Sequence, residues 1–163
     1  MVSTEATVLV AGIGSEYRHD DGVGAVVAAA VALATTSTRD VGPLGEPLDL
    51  LGRCNDADLV VVIDATRSGA TPGTVQVIEL DLTAGDDTIT RGPSRESSSH
   101  GIGLTGVVRL ARAVGQAPRR LVVVGVEGER FDVGEGLSQS VAAAVPEAVS
   151  RVVELIREVD ACA

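Results

Sequence analysis

The stretch from Val8 to Val27, VLVAGIGSEYRHDDGVGAVV, decides the fold class of this chain. It begins with an apolar run rich in β-branched residues, which is typical of a strand buried on both faces of a parallel sheet. Glycines at 12 and 14 allow a tight turn where this strand ends. From Gly22 the residues are small and apolar, which predicts a helix packed closely against the sheet. The stretch therefore predicts the first strand, loop and helix of an α/β domain.

Two adjacent carboxylates, Asp20 and Asp21, close the loop of this unit. We interpret Asp20 as the N-cap of the helix and place Asp21 in its first turn, where backbone N–H groups and the helix dipole favour a negative charge. In a purely structural alternative both residues are caps, although one carboxylate suffices for a cap. A dinucleotide fingerprint is disfavoured, because Tyr17 stands where its third glycine would be and the carboxylates would repel a phosphate.

The composition limits the classes of function. At 163 residues the chain is expected to form one domain, 1–163, and its core must be Val, Ala, Leu and Ile, since it has one Phe, one Tyr and no Trp. The formal charge of −10 argues against a nucleic-acid or anionic-membrane surface. No apolar run approaches the ~18 residues of a membrane span, and the N-terminus lacks the pattern of a signal peptide. Cys54 and Cys162 are expected to be reduced thiols of a cytoplasmic protein.

Further strands are predicted from apolar runs and from alternation. Two buried strands are expected, at 59–63 with Asp64 at its end and at 121–126, and an alternating edge strand is expected at 74–80. These strands predict a single three-layer α/β/α domain, whose twisted, mostly parallel sheet has one antiparallel edge strand.

Helices and loops fill the remaining segments. We predict a short helix at 46–54, a helix that starts beside His100, and a last helix from Ser138 to about Val159 with a kink or break at Pro146. The polar segments 83–99 and 127–136 are predicted to be loops, and the first leads directly into His100.

Three residues from separate segments are predicted to converge at one edge of the sheet. Asp21 follows the first strand, Asp64 ends the second, and His100 starts the helix before the third. Two carboxylates and an imidazole suit zinc, nickel or another borderline divalent ion. Three alternatives stay open: Asp64 caps a turn, His100 makes only a helix-start hydrogen bond, or the two carboxylates share a proton as in aspartic proteases.

Other chemistries fit the sequence less well. A serine nucleophile would need a Gly-x-Ser-x-Gly turn, and the sequence has none. Cys54 follows a Leu-rich segment and is interpreted as a core residue. His19 is interpreted as an exposed loop histidine, with contact to a substrate or to a site residue as the alternative.

Five motifs occur in an order and spacing that resemble those of the hydrogenase maturation endopeptidases, which trim the C-terminus of nickel–iron hydrogenase large subunits. They are GIGSEYRHDDGVG at 12–24, VVVIDA at 60–65, PGTV at 72–75, SSHGIGL at 98–104 and VGVEGERFDVGEGLS at 124–138. The resemblance covers nearly the whole chain. One departure is Ser15, because the family usually has Asn directly after the Gly-x-Gly.

The resemblance implies a twisted α/β sheet and a metal-contacting triad that falls on Asp21, Asp64 and His100. It also makes Asp21 and Asp64 the candidate catalytic pair, with either metal-assisted or aspartic-type hydrolysis. The implied metal is nickel carried by the substrate, for which zinc or another divalent ion could substitute. The implied partner is a nickel–iron hydrogenase large-subunit precursor, with no nucleic acid and no membrane. A non-catalytic metal-checking or metal-delivery module with the same triad is the competing class of function.

Overall fold

The computed structural model describes residues 6–83 and 104–162. Within them one sheet has the strand order β2-β1-β3-β5-β4. The first four strands in this order are parallel, and β4 runs antiparallel to β5 at the edge, as predicted. The strands are β1 Val8–Ile13, β2 Arg39–Leu44, β3 Leu59–Thr66, β4 Val75–Leu80 and β5 Arg120–Glu127.

Helices cover both faces of the sheet, which confirms the predicted three layers. One face packs against α1, Val23–Ala34, and α3, Gln139–Cys162. The other face packs against α2, Leu104–Ala113, and a 3-10 turn at Pro47–Leu50. None of the described helices is long and apolar enough to cross a membrane.

The side chains of β3 alternate between these two layers, because successive residues of a strand point to opposite faces. Val61 and Ile63 belong to the core under α1 and α3, whereas Val60 and Val62 belong to the core under α2. All four are fully buried. The same alternation places Asp64 on the face that α2 covers.

A crevice is expected where the connections that leave β1 and β3 diverge. The chain leaves β1 through α1 on one face of the sheet, and after β3 it continues through β4 and α2, which lies on the other face, to β5. The carboxyl ends of β1 and β3 therefore form a topological switch point. The start of α1 lies directly on it: a Cβ added to Gly24 would be 2.5 Å from the carbonyl oxygen of Ile63 and 2.6 Å from that of Ile13. Small residues are required here because helix and strand backbones touch.

The structure contradicts one predicted helix and excludes a break in another. The segment 46–54 forms only the 3-10 turn, because Leu51 is extended and Gly52 has a φ of +80°. The break at Pro146 does not occur, since α3 continues through it. Buried residues on both sides of the proline hold this helix to the sheet; they are Val141, Ala144, Ala148, Val152 and Ile156. Residues 84–99 of the predicted loop 83–99, His100 and the predicted start of its helix lie outside the described residues.

Candidate active site

Asp21 lies in a 3-10 turn, His19–Gly22, that precedes α1. Its Oδ2 accepts a hydrogen bond of 2.8 Å from the backbone N–H of Ser15. Gly14 has a φ of +120°, and a Cβ there would collide with the backbone carbonyl oxygen of Asp21. The half-buried Asp21 is therefore fixed against the loop that follows β1. Because Ser15 contributes its backbone, its replacement of the usual Asn leaves this bond intact.

Asp64 lies within β3 rather than at its end, because the strand continues to Thr66. Its pairing with β1 stops at Gly12 and Ile63, so Asp64 is one residue beyond the last pair. On its other side Asp64 pairs with Gly125 of β5. The residue is 8% exposed, so a mostly buried carboxylate lies at the carboxyl edge of the switch point.

The fold brings Asp21 and Asp64 to the same edge of the sheet. The turn that carries Asp21 contacts β3, and Gly24 touches Ile63, the residue before Asp64. Among the residues that the structure describes, no three His, Cys, Asp or Glu side chains form a group that could hold a metal. His100 lies outside those residues, so the triad stays a prediction.

Asp20 is not the N-cap of α1, which makes that prediction wrong. The helix begins at Val23, with Gly22 before it and no side-chain cap. The Asp20 carboxylate is fully buried and turns instead toward the segment before α3. There it accepts hydrogen bonds from the N–H groups of Glu129, Arg130 and Ser138, at 2.8, 2.8 and 2.7 Å, and from the Ser138 hydroxyl at 2.9 Å.

These bonds decide the protonation state of Asp20. Burial by itself raises the pKa of this carboxyl, but the N–H groups of Arg130, Ser138 and Glu129 and the Ser138 hydroxyl outweigh it and leave the pKa below its ordinary value of 3.8. Asp20 is therefore an ionised, fully bonded residue of the fold. It leaves Asp21 as the carboxylate of this pair that is available for chemistry.

Backbone bonds join the same two loops, 14–22 and 128–138, which we call the interlocked loops. His19 N–H donates to the carbonyl of Gly134 at 2.8 Å, and Gly134 N–H donates to Tyr17 at 2.9 Å. The His19 ring lies between the carbonyl of Gly136, 3.0 Å from Nδ1, and the guanidinium of Arg130, 3.1 Å from Nε2. Its side chain is 13% exposed, so the interpretation of His19 as an exposed loop residue is wrong.

Comparison with known proteins shows to which family this chain belongs. A family model described as hydrogenase maturation protease, HycI, matches residues 40–155. The chain belongs to this family. The hydrogenase 2 maturation protease of Escherichia coli K12 is 27% identical over 157 residues, which cover 93% of this chain and 91% of that protein. The hydrogenase expression/formation protein HupD of Thiocapsa roseopersicina is 28% identical over 162 residues, covering 95% of this chain and 70% of that protein.

Solved structures agree with this assignment. The hydrogenase maturating endopeptidase HybD of Escherichia coli superposes with a TM-score of 0.77 at 25% identity, covering 93% of each chain. The predicted family and the α/β fold of this hydrogenase maturation protease are thus confirmed.

Glu127 is a buried carboxylate of the protease that sequence reasoning missed. It ends β5, is 3% exposed, and accepts bonds from the Thr66 hydroxyl at 2.7 Å, the Ser68 N–H at 2.7 Å, the Ser68 hydroxyl at 2.9 Å and the Gly69 N–H at 2.9 Å. Burial raises its pKa, but the donors together outweigh burial and lower it. Glu127 thereby fixes the loop after β3. The sequence did contain a signal for this residue, because Glu127 follows the apolar run 121–126 just as Asp64 follows the run 59–63.

Replacing Thr66 with Val is expected to lower the free energy of unfolding by about 1–2 kcal/mol, because a buried charged acceptor loses one neutral donor. The loss should be measured by urea unfolding at pH 7. As a control, Thr74→Val removes a hydroxyl bond to the carbonyl of Thr71 that is exposed to solvent, and should change stability by less than about 0.5 kcal/mol. Equal losses in both variants would contradict a special role for the Glu127 cluster.

Proposed function

We propose that this protein is the endopeptidase that removes the C-terminal extension from a nickel–iron hydrogenase large-subunit precursor after nickel has been inserted. The observation that supports it is that Asp21 and Asp64 lie at the same carboxyl edge of the sheet, on elements that contact each other, in a member of the maturation protease family. A related protein is named for the maturation of hydrogenase 2. We place the reaction in the cytoplasm, with no nucleic acid or membrane as partner.

In this proposal Asp21, Asp64 and His100 contact the nickel that the precursor carries, so that only metal-loaded precursor is cut. Two carboxylates and an imidazole are donors that suit a borderline divalent ion, and zinc should substitute in binding. Asp21 and Asp64 are also our candidates for the catalytic pair. A carboxylate at this edge accepts a proton from the attacking water, and hydrolysis then breaks the peptide bond and transfers a proton to the leaving amine. Metal-assisted and aspartic-type hydrolysis both use this pair.

The geometry around the pair suits these roles. Asp64 is largely withdrawn from solvent, and a carboxylate in such surroundings can serve as an acid or a base. Asp21 is held by one backbone N–H through Oδ2, and its backbone is fixed by the interlocked loops on one side and by α1 on the other. Both carboxylates are carried by rigid elements, which is what a site for a specific substrate requires.

The test is incubation of the protein with purified precursor in nickel-loaded, zinc-loaded and metal-free forms, followed by mass spectrometry of the intact large subunit. We expect loss of the C-terminal extension from the nickel-loaded form and no loss from the metal-free form. Binding of the nickel-loaded precursor without any mass loss would instead support the metal-checking or metal-delivery module. Equal cleavage of loaded and metal-free precursor would contradict metal recognition while leaving the peptidase activity intact.

A further inference from the structure

Arg67 is an exposed cation held in a fixed position beside the candidate active site. It directly follows β3, three residues after Asp64. Its guanidinium carbon lies 4.2 Å from the centroid of the Phe131 ring. The backbone on both sides is fixed, because Thr66 pairs with β5 and the Ser68 N–H is bonded to Glu127 at 2.7 Å. The guanidinium is therefore positioned without being covered.

Phe131 is a rigid support for this cation. It is the only Phe of the chain, and its ring packs on Gly128, where an added Cβ would be 2.8 Å from Cε2 of the ring. Its backbone carbonyl accepts a bond of 3.1 Å from Nε of Arg18, and Gly128 is itself bonded to the carbonyl of Thr66 at 2.9 Å. The ring is fixed by the interlocked loops rather than by Arg67.

Arg67 has no carboxylate partner among the residues that the structure describes. Other arginines of this acidic chain do: Arg119 lies 3.2 Å from Asp58 and Arg120 lies 2.8 Å from Glu79. Glu127 is not the counter-ion of Arg67, because its oxygens are occupied by the neutral donors around it. In a chain with a formal charge of −10, an arginine without a carboxylate at the edge of the site is available to a carboxylate of the substrate.

We propose that Arg67 is a specificity-determining residue that binds a carboxylate of the precursor, within about three residues of the peptide bond that is cut. This rests on the proposed function. Asp64 and Arg67 are three residues apart along the chain, so at roughly 3.3 Å per extended residue their Cα atoms are no more than about 10 Å apart, a length that about three residues of an extended substrate cover. Phe131 packs against the core under α1 and α3, so Arg67 lies on the α1 face of the sheet, whereas Asp64 lies on the α2 face. Stacking on Phe131 leaves the N–H groups at the edge of the guanidinium free to bind a carboxylate with two parallel bonds. The carboxylate belongs to an acidic side chain of the extension or to its C-terminus.

The first test measures kcat and KM for cleavage of nickel-loaded precursor by Arg67→Gln and Arg67→Lys. We expect KM to rise about tenfold in Arg67→Gln with kcat within about twofold, because a charge-assisted pair is lost from binding only. Arg67→Lys should recover only part of this, since an ammonium neither stacks nor binds with two bonds. The matched control is Arg157→Gln, an exposed arginine of α3 that lies roughly 27 Å along the helix from its start beside the interlocked loops.

The second test identifies the source of the carboxylate. Precursors with each acidic residue of the extension changed to its amide, and a precursor with an amidated C-terminus made by ligation, are compared with the unmodified precursor. With the wild-type enzyme, kcat/KM for one of these substrates should be about tenfold below that for the unmodified precursor. With Arg67→Gln, the modified and unmodified precursors should have equal kcat/KM.

The outcomes separate the two proposals. An unchanged KM in Arg67→Gln, or an equal rise in Arg157→Gln, would overturn the role of Arg67 while cleavage by the wild type still supports the protease. If every modified precursor lost activity equally with the wild type and with Arg67→Gln, no carboxylate would be bound at Arg67. Absence of cleavage by the wild type would overturn the proposed function itself, and Arg67 with it.

Discussion

Replacing Asp20 with Ala is expected to lower the free energy of unfolding by about 4 kcal/mol, a large part of the stability of a domain of this size. The side chain is fully buried, and its removal leaves the N–H groups of Glu129, Arg130 and Ser138 without their acceptor. Each buried donor left unsatisfied costs roughly 1–3 kcal/mol. Urea unfolding followed by circular dichroism measures the loss. If the variant does not fold, Asp20→Asn, which keeps one acceptor oxygen, is expected to fold with a smaller loss.

The loss of stability in acid should also depend on Asp20. The pKa of Asp20 in the folded chain lies below its ordinary value of 3.8, so its stabilisation is fully present above that value and is lost as the pH falls through the lower, folded value. The wild type should therefore lose stability more steeply than Asp20→Asn below about pH 4. The control is Glu135→Gln, in the same loop but with an exposed side chain, which should melt like the wild type. If the melting temperatures of the wild type and of Asp20→Asn fell equally below about pH 4, this role of Asp20 would be contradicted.

Four strands were predicted well because each carries a clear local signal, whereas β2, which contains Gly42 and Pro43, carries none. β1 and β3 are continuous apolar runs buried on both faces, whereas β4 alternates and lies at the edge. The small residues after β1 also pointed correctly to close packing, which the contacts of Gly24 with Ile63 explain. Helix ends were predicted less well, because a single positive φ at Gly52 ends the turn at Pro47–Leu50.

The roles of buried carboxylates could not be deduced in the same way. The donors to Asp20 lie more than a hundred residues away, at 129–138, so a local cap was the natural interpretation of a carboxylate before a helix. Glu127 could have been found from the sequence, because it is a carboxylate directly after a predicted buried strand, as Asp64 is. Asp20 and Glu127 each accept several hydrogen bonds, whereas Asp21 is held through one backbone N–H, and the number of such donors depends on how loops meet in space. The roles of Asp21 and Asp64, and of His100 with them, remain predictions.

Replacing Asp64 with Asn is therefore expected to lower activity strongly while leaving the stability of the fold nearly unchanged. Asn has the size of Asp but cannot supply a charged ligand. Mutating a residue that only supports a metal ligand typically lowers metal affinity or activity about 10–100-fold. For a direct contact we therefore expect kcat/KM for nickel-loaded precursor to fall at least about 100-fold. Stability should change by less than about 1 kcal/mol, since Asn keeps the size of Asp and the backbone still pairs with Gly125 of β5. Asp21→Asn should behave alike, because its amide oxygen still accepts from Ser15. Asp160→Asn on α3 is the control and should cleave normally.

His100→Ala completes the series and adds a dependence on pH. An imidazole binds a metal only when neutral, so wild-type affinity for nickel-loaded precursor should fall as the pH drops through about 6.5, the ordinary pKa of histidine. In His100→Ala the remaining, weaker affinity should stay flat between about pH 5.5 and 8, where carboxylates keep their charge. Binding is measured by titration calorimetry at each pH, with metal-free precursor as the reference. A variant that keeps the wild-type pH profile would exclude His100 from the metal contact, and an Asp64→Asn protein that cuts at the normal rate would exclude Asp64 from the site.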